Sequence, residues 1–270
     1  MEAAKPSELF DAYYYAHGCG RPYQRDDEWL GFFSHVAQHI RRKIQPRTVL
    51  DAGCAMGFLI EQLRAQGIEA WGFDISPYAI ANVAAEIQPY CWVGSATEPL
   101  QRRYDLIVSI EVLEHMAQEE AERAVANLCL YTDDVLFSST PFDYKEATHF
   151  NVQPPEYWAE LFALQGFYRD VDFDASFLTP WAVRFRQSAE PPHRLARDYE
   201  RRFWLLWKEN TDLRSLISEM RAGLADAEAT TERVQALEAH IEAIEKGRVW
   251  RLMAWANRAL AWVRERMKRG

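Results

Sequence analysis

Short apolar runs alternate with helix-periodic segments from about residue 47 to residue 187. Such alternation is typical of an α/β fold in which helices cover both faces of a doubly wound, mostly parallel sheet. The predicted strands are Thr48–Ala52, Glu69–Asp74, Cys91–Gly94, Asp105–Ile110, Asp134–Ser138, Gly166–Phe173 and Trp181–Phe185. The predicted helices between them are Phe58–Gln66, Pro77–Ile87, Glu119–Leu130 and Pro155–Leu164. Since no helix pattern separates the last two strands, we expect them to form an antiparallel hairpin at one edge.

Three further segments flank this core, and their composition differs from it. We expect residues 1–46 to form a helical cap, residues 47–190 the α/β domain, residues 191–245 a coiled-coil region, and residues 246–270 a basic amphipathic helix. After the last proline, one apolar position recurs every seven residues, at Leu206, Leu213, Met220, Ala227, Val234 and Ile241. A heptad repeat of this length favours self-association into a homo-oligomer over packing of the helix on its own domain.

Charge and cysteine content argue against several classes of protein. The net charge of −9 at pH 7 argues against nucleic-acid binding, because phosphate contacts need clustered positive charge. The four cysteines are widely spaced and form no CxxC pair, so the sequence predicts neither a zinc site nor a disulfide framework. Together with the polar N-terminus, these features lead us to expect a cytoplasmic protein.

The loop after the first predicted strand reads "DAGCAMG", from Asp51 to Gly57. A dinucleotide-binding loop has the pattern GxGxxG, whose second glycine admits a pyrophosphate. Here a carboxylate stands at the strand end and only two glycines follow, so the loop disfavours a pyrophosphate and suits a ligand with an ammonium group. Asp74 ends the next strand, where its carboxylate can accept both hydroxyls of a ribose. These features indicate a nucleoside joined to an amino acid, which is S-adenosyl-L-methionine; an ordinary strand-loop-helix joint is the alternative.

Residues 45–187 resemble the class I S-adenosylmethionine-dependent methyltransferases. "VLDAGCAMG" resembles their first motif, "GFDIS" their ribose-binding motif, "VGSATEPL" the segment that contacts adenine, and "YDLIVSIEVLEHM" the strand beneath the methionine end. The resemblance implies a Rossmann-like seven-stranded sheet of order 3-2-1-4-5-7-6 and methyl transfer that leaves S-adenosyl-L-homocysteine. It implies cofactor contacts from Asp51, Gly53, Cys54, Gly57, Asp74, Ile75, Ser95, Ala96 and Glu111. Many members have an aspartate where this chain has Ser95, so the adenine amino group is expected to meet Ser95, the backbone near Ala96 or a water.

The turn-rich segment "HGCGRPYQR" lies ahead of the first long helix. Its Arg25 is predicted to pair with the carboxylate of the bound methionine, which a planar guanidinium suits. Tyr15 or Tyr23 is predicted to stack on or hydrogen-bond to the cofactor nearby, and this segment resembles several sugar-modifying methyltransferases, which have similar Tyr and Arg residues before the first helix. The alternative is a surface arginine beside an aromatic core patch.

Two histidines are candidates for taking the proton of a hydroxyl during methyl transfer. His149 lies in a long polar and aromatic loop between the fifth strand and the next helix, and is predicted to be the general base with Asp143 orienting its ring. His115, within "EVLEHM", is expected to shape the pocket or contact the cofactor. Side chains suited to a sugar are Tyr144, Asn151, Tyr157 and Trp158. Two alternatives stay open: His149 merely ties the loop to the next helix, or Asp143 and His149 bind a divalent metal.

Residues 246–269 carry eight Lys or Arg and one Glu among several tryptophans. A basic, tryptophan-rich helix is typical of a peripheral membrane contact, and a packed or partner-bound helix is the alternative. The acidic heptad helix followed by this tail resembles the ends of bacterial glycosyltransferases and methyltransferases that build surface polysaccharides. The resemblance implies an O-methyltransferase acting on a sugar hydroxyl of a lipid-linked glycan at the inner membrane face. The alternatives are an O-methyltransferase for an aromatic or quinone-type hydroxyl, and a non-catalytic cofactor-binding scaffold of a polysaccharide-assembly complex.

Overall fold

The computed structural model describes residues 6–247 of the chain. Within this range the strands are β1 (Thr48–Ala52), β2 (Glu69–Asp74), β3 (Cys91–Val93), β4 (Leu106–Ile110), β5 (Asp134–Ser138), β6 (Phe167–Arg169) and β7 (Val183–Gln187). The helices are α1 (Pro6–Leu9), α2 (Ala12–His17), α3 (Asp27–His39), α4 (Phe58–Ala65), α5 (Pro77–Ala81), α6 (Gln118–Leu130), α7 (Pro155–Leu164) and α8 (Pro192–Lys246). Shorter helical turns lie at Ile40–Ile44, Gln88–Tyr90 and Leu113–His115.

The strands form one sheet in the order β3-β2-β1-β4-β5-β7-β6, which confirms the predicted fold and strand order. Strands β1 to β5 run parallel, and β1 lies between β2 and β4. Strand β7 lies antiparallel to both β5 and β6, so the predicted edge hairpin is present. The five parallel strands therefore end at the same edge, and the strand order reverses beside β1, where α/β sheets open a crevice for ligands.

Helix α5 ends at Ala81 rather than at the predicted Ile87. The hydroxyl of Ser76 caps its start by accepting a backbone hydrogen bond from the first turn. At its other end, the side-chain amide of Asn82 donates to the Tyr78 carbonyl at 2.8 Å. An asparagine that bonds to a nearby carbonyl competes with the backbone bonds of a helix, so the helix stops there.

The bounds of the two hairpin strands differ most from the prediction, whereas β3 and β4 are each one residue shorter than predicted. Strand β6 covers Phe167–Arg169 rather than Gly166–Phe173, because the Phe173 N–H donates to the Asp170 carbonyl at 3.1 Å and the chain turns. Strand β7 begins and ends two residues later than the predicted Trp181–Phe185. The hairpin is therefore shorter than its apolar pattern indicates, and Trp181 is left outside the ladder.

The hydrophobic core covers both faces of the sheet. On one face, Val36 of α3 packs with Leu59 and Ile60 of α4, and all three side chains are fully buried. On the other face, Leu128 of α6 and Phe162 of α7 are fully buried. Burial of a large apolar side chain contributes about 1.5–3 kcal/mol. Helix α3 is thus an integral part of the core beside the sheet.

Helix α8 occupies the region for which a coiled coil is predicted. The residues from 200 to 244 are all exposed. Pairing of this helix with a second copy stays a prediction. The predicted basic helix over 246–270 lies outside the described residues from position 248 onward. None of the described helices combines the length and the apolar character needed to cross a membrane.

Candidate active site

A cavity of about 1580 Å³ opens where β1, β2 and β4 end. It is lined by the loops that follow these strands, by the N-terminal segment from Leu9 to Tyr23, and by the loop 140–150 after β5. Nine of the predicted cofactor residues line it, namely Tyr15, Asp51, Gly53, Cys54, Asp74, Ile75, Ser95, Ala96 and Glu111. The cavity therefore lies where open α/β sheets bind their ligands.

The loop after β1 has a left-handed backbone at three positions. Gly53, Ala55 and Gly57 have φ angles of 85°, 47° and 73°. A Cβ atom on Gly53 would lie 2.4 Å from a methyl group of Val112, so only glycine fits there. The strained Ala55 is held by its N–H, which donates to the Asp74 carboxylate at 2.8 Å. Gly57 lies at the start of helix α4, where it supports the backbone turn; it is not among the residues that line the cavity, and its cofactor contact stays a prediction.

Two buried carboxylates face the cavity at the ends of β1 and β2. Asp51 is 4% exposed and Asp74 is 7% exposed. Burial, together with the neighbouring Asp74, raises the pKa of Asp51 to about 8. Burial also raises the pKa of Asp74, although hydrogen bonds from the Ser76 and Ala55 N–H groups oppose the rise. A ligand that brings positive charge or hydroxyl donors to this pair would stabilise the ionised carboxylates.

Ser95 and Glu111 line the cavity from the loops after β3 and β4. The Ser95 hydroxyl lies 2.9 Å from the Thr97 hydroxyl, so its own turn positions it. Glu111 has a φ of 51°, and its carboxylate accepts a hydrogen bond from the Trp181 indole N–H at 2.9 Å. Trp181 carries no signal in the sequence, because this contact joins positions that are 70 residues apart.

His149 lies in the loop after β5, and both of its ring nitrogens face hydrogen-bond acceptors. Its Nε2 atom lies 3.1 Å from a Glu146 carboxylate oxygen, and its Nδ1 atom lies 2.8 Å from the Asp143 backbone carbonyl. The Asp143 carboxylate is farther from the ring, at 3.9 Å. Burial lowers the pKa of His149, but Glu146 and the Asp143 carbonyl outweigh it and raise the pKa to about 9. His149 is therefore an imidazolium at neutral pH and has no free lone pair, which argues against its predicted role as general base.

His115 lies beside His149, with 4.6 Å between the ring centroids, but in the opposite protonation state. Its Nδ1 atom is 3.2 Å from the Thr148 carbonyl, and its Nε2 atom is 3.5 Å from the Tyr14 hydroxyl. Since a carbonyl can only accept, Nδ1 carries the proton and Nε2 keeps its lone pair. Burial and the charge of His149 lower the pKa of His115 to about 4. The ring is thus neutral at pH 7 and can accept a proton.

Glu146 and Tyr14 complete this cluster of polar groups. The Glu146 carboxylate accepts hydrogen bonds from the Thr148 hydroxyl at 2.5 Å and from His149. Burial would raise the pKa of Glu146, but these two hydrogen bonds lower it below its ordinary value. Glu146 and His149 are three positions apart, so the sequence contains a local signal from which their ion pair could have been predicted. Tyr14 has no such signal, because it is 101 positions away from its partner His115.

A family model described as a methyltransferase domain matches residues 23–170, which is more than half of the chain. The chain belongs to this methyltransferase domain family. The matched range includes strands β1 to β6 of the methyltransferase and ends before β7. It therefore contains the loops after β1, β2 and β4 that line the cavity.

Three proteins illustrate what the methyltransferase is similar to. The ubiquinone biosynthesis O-methyltransferase of Serratia proteamaculans (strain 568) is 32% identical over an alignment of 104 residues that covers 34% of this chain and 42% of that protein. The match thus spans less than half of that relative's length. The magnesium protoporphyrin IX methyltransferase of Synechocystis PCC 6803 with bound SAH has a TM-score of 0.52 at 16% identity, covering 67% of this chain and 98% of that one. The sugar N-methyltransferase of Streptoalloteichus sp ATCC 53650 has a TM-score of 0.50 at 14% identity, covering 69% and 96%. The two structures share the fold.

Arg25 of the methyltransferase does not line the described cavity. Its guanidinium pairs with the Glu61 carboxylate of α4 at 2.7 Å, and the side chain is 56% exposed. In this structure Arg25 is thus a surface arginine, which agrees with the alternative reading and argues against its predicted pairing with a methionine carboxylate. Tyr15, by contrast, is buried, lines the cavity and stacks on Tyr78 with 5.8 Å between the ring centroids.

Three of the four side chains predicted to suit a sugar lie away from the cavity of the methyltransferase. Asn151 and Trp158 are each 2% exposed, and Trp158 packs in the hydrophobic core. The Tyr157 hydroxyl donates to the Glu122 carboxylate at 3.3 Å. Only Tyr144 among the four lines the described cavity, and its side chain is open to solvent.

Two groups of residues place possible metal ligands within 4.8 Å of one another: Glu114, His115 and His149, and Asp143, Glu146 and His149. Both groups share His149. Since both nitrogens of this ring already donate to acceptors, the ring would have to lose a proton and a hydrogen bond before it could bind a metal. The described residues fit a protonated His149 better than a metal ligand.

Proposed function

We propose that this methyltransferase binds S-adenosyl-L-methionine in the cavity and transfers its methyl group to a hydroxyl, leaving S-adenosyl-L-homocysteine. The observation that carries the proposal is the buried acidic pair, Asp51 and Asp74, which faces the same cavity as the neutral ring of His115. Membership of the methyltransferase family supports the reaction. The porphyrin methyltransferase of similar fold, with SAH bound in its crystal structure, supports the choice of cofactor.

The side chains around the cavity fit this cofactor. The Asp74 carboxylate accepts two backbone hydrogen bonds at 2.8 Å each, and its remaining lone pairs suit the hydroxyls of a ribose. The Asp51 carboxylate makes no side-chain hydrogen bond to another described residue, and it suits an ammonium group. Ser95 and Ala96 offer a hydroxyl and backbone groups to an adenine edge. When bound, the cofactor supplies a methyl group that its sulfonium makes electrophilic.

His115 is the residue placed to take the proton from the acceptor hydroxyl. Its Nε2 lone pair points toward the Tyr14 hydroxyl, and both side chains line the cavity. The proton can pass to Nε2 directly or through the Tyr14 hydroxyl. His149 contributes a fixed positive charge beside this ring, because Glu146 and the Asp143 carbonyl hold its two N–H groups.

The acceptor we propose is a hydroxyl of a sugar in a bacterial surface glycan. Three exposed aromatic rings, Phe142, Tyr144 and Phe150, line the cavity from the loop after β5. Carboxylates of Glu120 and Asp143 line it beside them. Flat apolar faces next to hydrogen-bond acceptors suit the two kinds of surface that a sugar ring presents. A lipid-linked glycan at the inner membrane face would account for the basic composition of residues 246–269.

A phenol of the aromatic or quinone type is the second candidate acceptor. The 32% identity with the ubiquinone biosynthesis O-methyltransferase favours it. A phenol has a pKa of about 10, so it gives up its proton to a neutral imidazole more readily than an alcohol does. The aromatic rings of the cavity would also stack on such a ring.

The test is methyl transfer from isotopically labelled S-adenosyl-L-methionine by the full-length protein, read by mass spectrometry of the products. One set of acceptors contains lipid-linked and free polysaccharide fragments, and the other contains catechols and quinols. His115→Gln is expected to lose turnover, while His35→Gln, on the exposed surface of α3, is the matched control that keeps it.

Methylated glycans would support the first candidate, and methylated phenols alone would replace it by the second. Binding of S-adenosyl-L-methionine without methylation of either set contradicts the proposed reaction and favours the scaffold alternative. Full turnover by His115→Gln would contradict the assignment of the proton acceptor.

A further inference from the structure

Helix α8 presents a stripe of large apolar side chains to solvent. Leu213 is 52% exposed, Met220 is 66% exposed and Leu224 is 62% exposed. These fractions are high for leucine and methionine, which contribute most to stability when they are buried. The stripe is therefore a surface suited to a partner.

The stripe follows the alternating spacing of four and three residues that defines a coiled-coil seam. One set of seam positions, designated d, contains Leu206, Leu213, Met220, Ala227 and Val234. The other set, designated a, contains Asn210, Ile217, Leu224 and Thr231. Beyond Val234 the seam continues at Leu237, Ile241 and Ile244. The step from Val234 to Leu237 is three residues where the pattern calls for four, and such an irregularity overwinds a coiled coil locally.

We propose that α8 pairs with α8 of a second copy of this chain as a parallel, in-register, two-stranded coiled coil in which Asn210 faces Asn210. In a parallel pair, each a position meets its own counterpart. The Asn210 side chain makes no hydrogen bond to another described residue, so its amide is free to bond to the same amide across the seam.

Antiparallel pairing of the same seam is disfavoured by Asn210. It would place this amide against an apolar side chain from the other end of the helix, near Ile241. A buried amide without a partner loses its hydrogen bonds to water and gains none. A single asparagine at an a position therefore fixes the register of the paired helices and the number of helices in the coiled coil.

Two other polar residues agree with the parallel arrangement. Glu209 and Arg214 flank the seam five residues apart, which is the spacing at which opposite charges meet across a parallel pair. Neither has an ion-pair partner among the described residues. Thr231 occupies an a position, and its hydroxyl donates to the Ala227 carbonyl of its own helix at 2.9 Å. It can therefore be buried in the seam without an unsatisfied donor.

Sedimentation equilibrium and light scattering of the full chain test the pairing. We expect twice the chain mass of 31.4 kDa for the wild type. The variant Leu213→Glu/Ile217→Glu places charges in the seam and should sediment as a monomer at the same concentration. The control Ser215→Glu/Ala222→Glu adds the same charges on the far side of the helix and should stay a dimer. A monomeric wild type, a trimer or larger oligomer, or a dimeric seam variant would overturn the proposal.

Cross-linking tests the orientation. Under mild oxidation Leu206→Cys should form a disulfide-linked dimer, because d positions of a parallel pair face each other. The control is the wild type oxidised in the same way, which reports any cross-link through the native cysteines. A cross-link that forms only when Asn210→Cys is mixed with Ile241→Cys would show antiparallel pairing and overturn the proposal. The inference is independent of the proposed reaction, because the described cavity is lined by residues 9–181 and the seam begins at residue 206. A dimer without methyl transfer would contradict the proposed reaction alone, and methyl transfer by a monomer would contradict the proposed pairing alone.

Discussion

Neutralising Glu146 should release the proton that His149 holds. In Glu146→Gln the side chain keeps its size and one oxygen that can accept from the Thr148 hydroxyl, so the substitution mainly removes a negative charge. The hydrogen bond of this carboxylate to Nε2, at 3.1 Å, is the largest influence that raises the pKa of His149, and its negative charge adds to the rise. We expect the pKa of His149 to fall in the variant toward the ordinary value near 6.5.

The structure gives the size and the sign of the effect on stability. The rise of the His149 pKa from 6.5 to about 9 corresponds to about 3 kcal/mol, since one pKa unit is about 1.4 kcal/mol. A histidine whose pKa is raised by folding contributes this stability in full below pH 6.5 and loses it as the pH rises through about 9. Glu146→Gln should therefore lower the free energy of unfolding by as much as about 3 kcal/mol at pH 6, and by little at pH 10.

Two measurements check this expectation. Long-range nitrogen-proton NMR of the histidine rings, assigned with His149→Gln, reports the pKa directly. Urea unfolding of the wild type and the variant at pH 6, 8 and 10 reports the difference in stability at each pH. The matched control is Asp143→Asn, which neutralises a carboxylate of the same loop whose distance from the ring is 3.9 Å, and which leaves the backbone carbonyl bond intact.

The reasoning is refuted if His149 of the wild type titrates near pH 6.5. It is equally refuted if Asp143→Asn moves the His149 pKa as far as Glu146→Gln does. A loss of stability that is the same at pH 6 and pH 10 would show that Glu146 acts through packing and not through charge.

Three further changes separate the roles of other residues. His115→Gln should lower kcat by about 10²–10⁴-fold, with the dissociation constant for S-adenosyl-L-methionine unchanged in calorimetry; a loss of binding instead would make His115 a cofactor contact. Gly53→Ala should abolish cofactor binding and lower the melting temperature, because the added Cβ meets Val112 at 2.4 Å in a left-handed backbone; unchanged binding would mean that the loop rearranges at low cost. Arg25→Ala should leave cofactor affinity unchanged, because its partner is Glu61 on the protein surface; a loss of affinity would restore the predicted role of Arg25.

The fold follows from the sequence to a large extent. Buried strands such as Leu106–Ile110 are continuous apolar runs, and carboxylates at the strand ends, Asp51 and Asp74, mark the edge where a ligand binds. These signals are local, so they can be seen in one sequence. The ends of β6 and α5 depend on single hydrogen bonds at turns, and the sequence pattern does not contain them.

The chemistry of the two histidines could not be predicted in the same way. One partner of His149 is the backbone carbonyl of Asp143, and every residue type has such a group. His115 is kept neutral by burial and by the charge of its neighbour, both of which exist only once the loop after β5 has folded. Arg25 has a side chain suited to a carboxylate, as the sequence indicates, but the carboxylate that it binds in the structure belongs to Glu61 of α4, 36 positions along the chain.

Titration of S-adenosyl-L-methionine into the wild type and into Asp51→Asn by calorimetry tests the central claim most directly. The wild type should bind one equivalent of cofactor, and the variant should bind about 10–150-fold more weakly, as expected for a lost charge-assisted hydrogen bond of about 1.5–3 kcal/mol. The melting temperature of the variant at pH 8 should not fall, because burial beside Asp74 disfavours the charge on Asp51. No binding by the wild type, or equal affinity in the two proteins, would contradict the account.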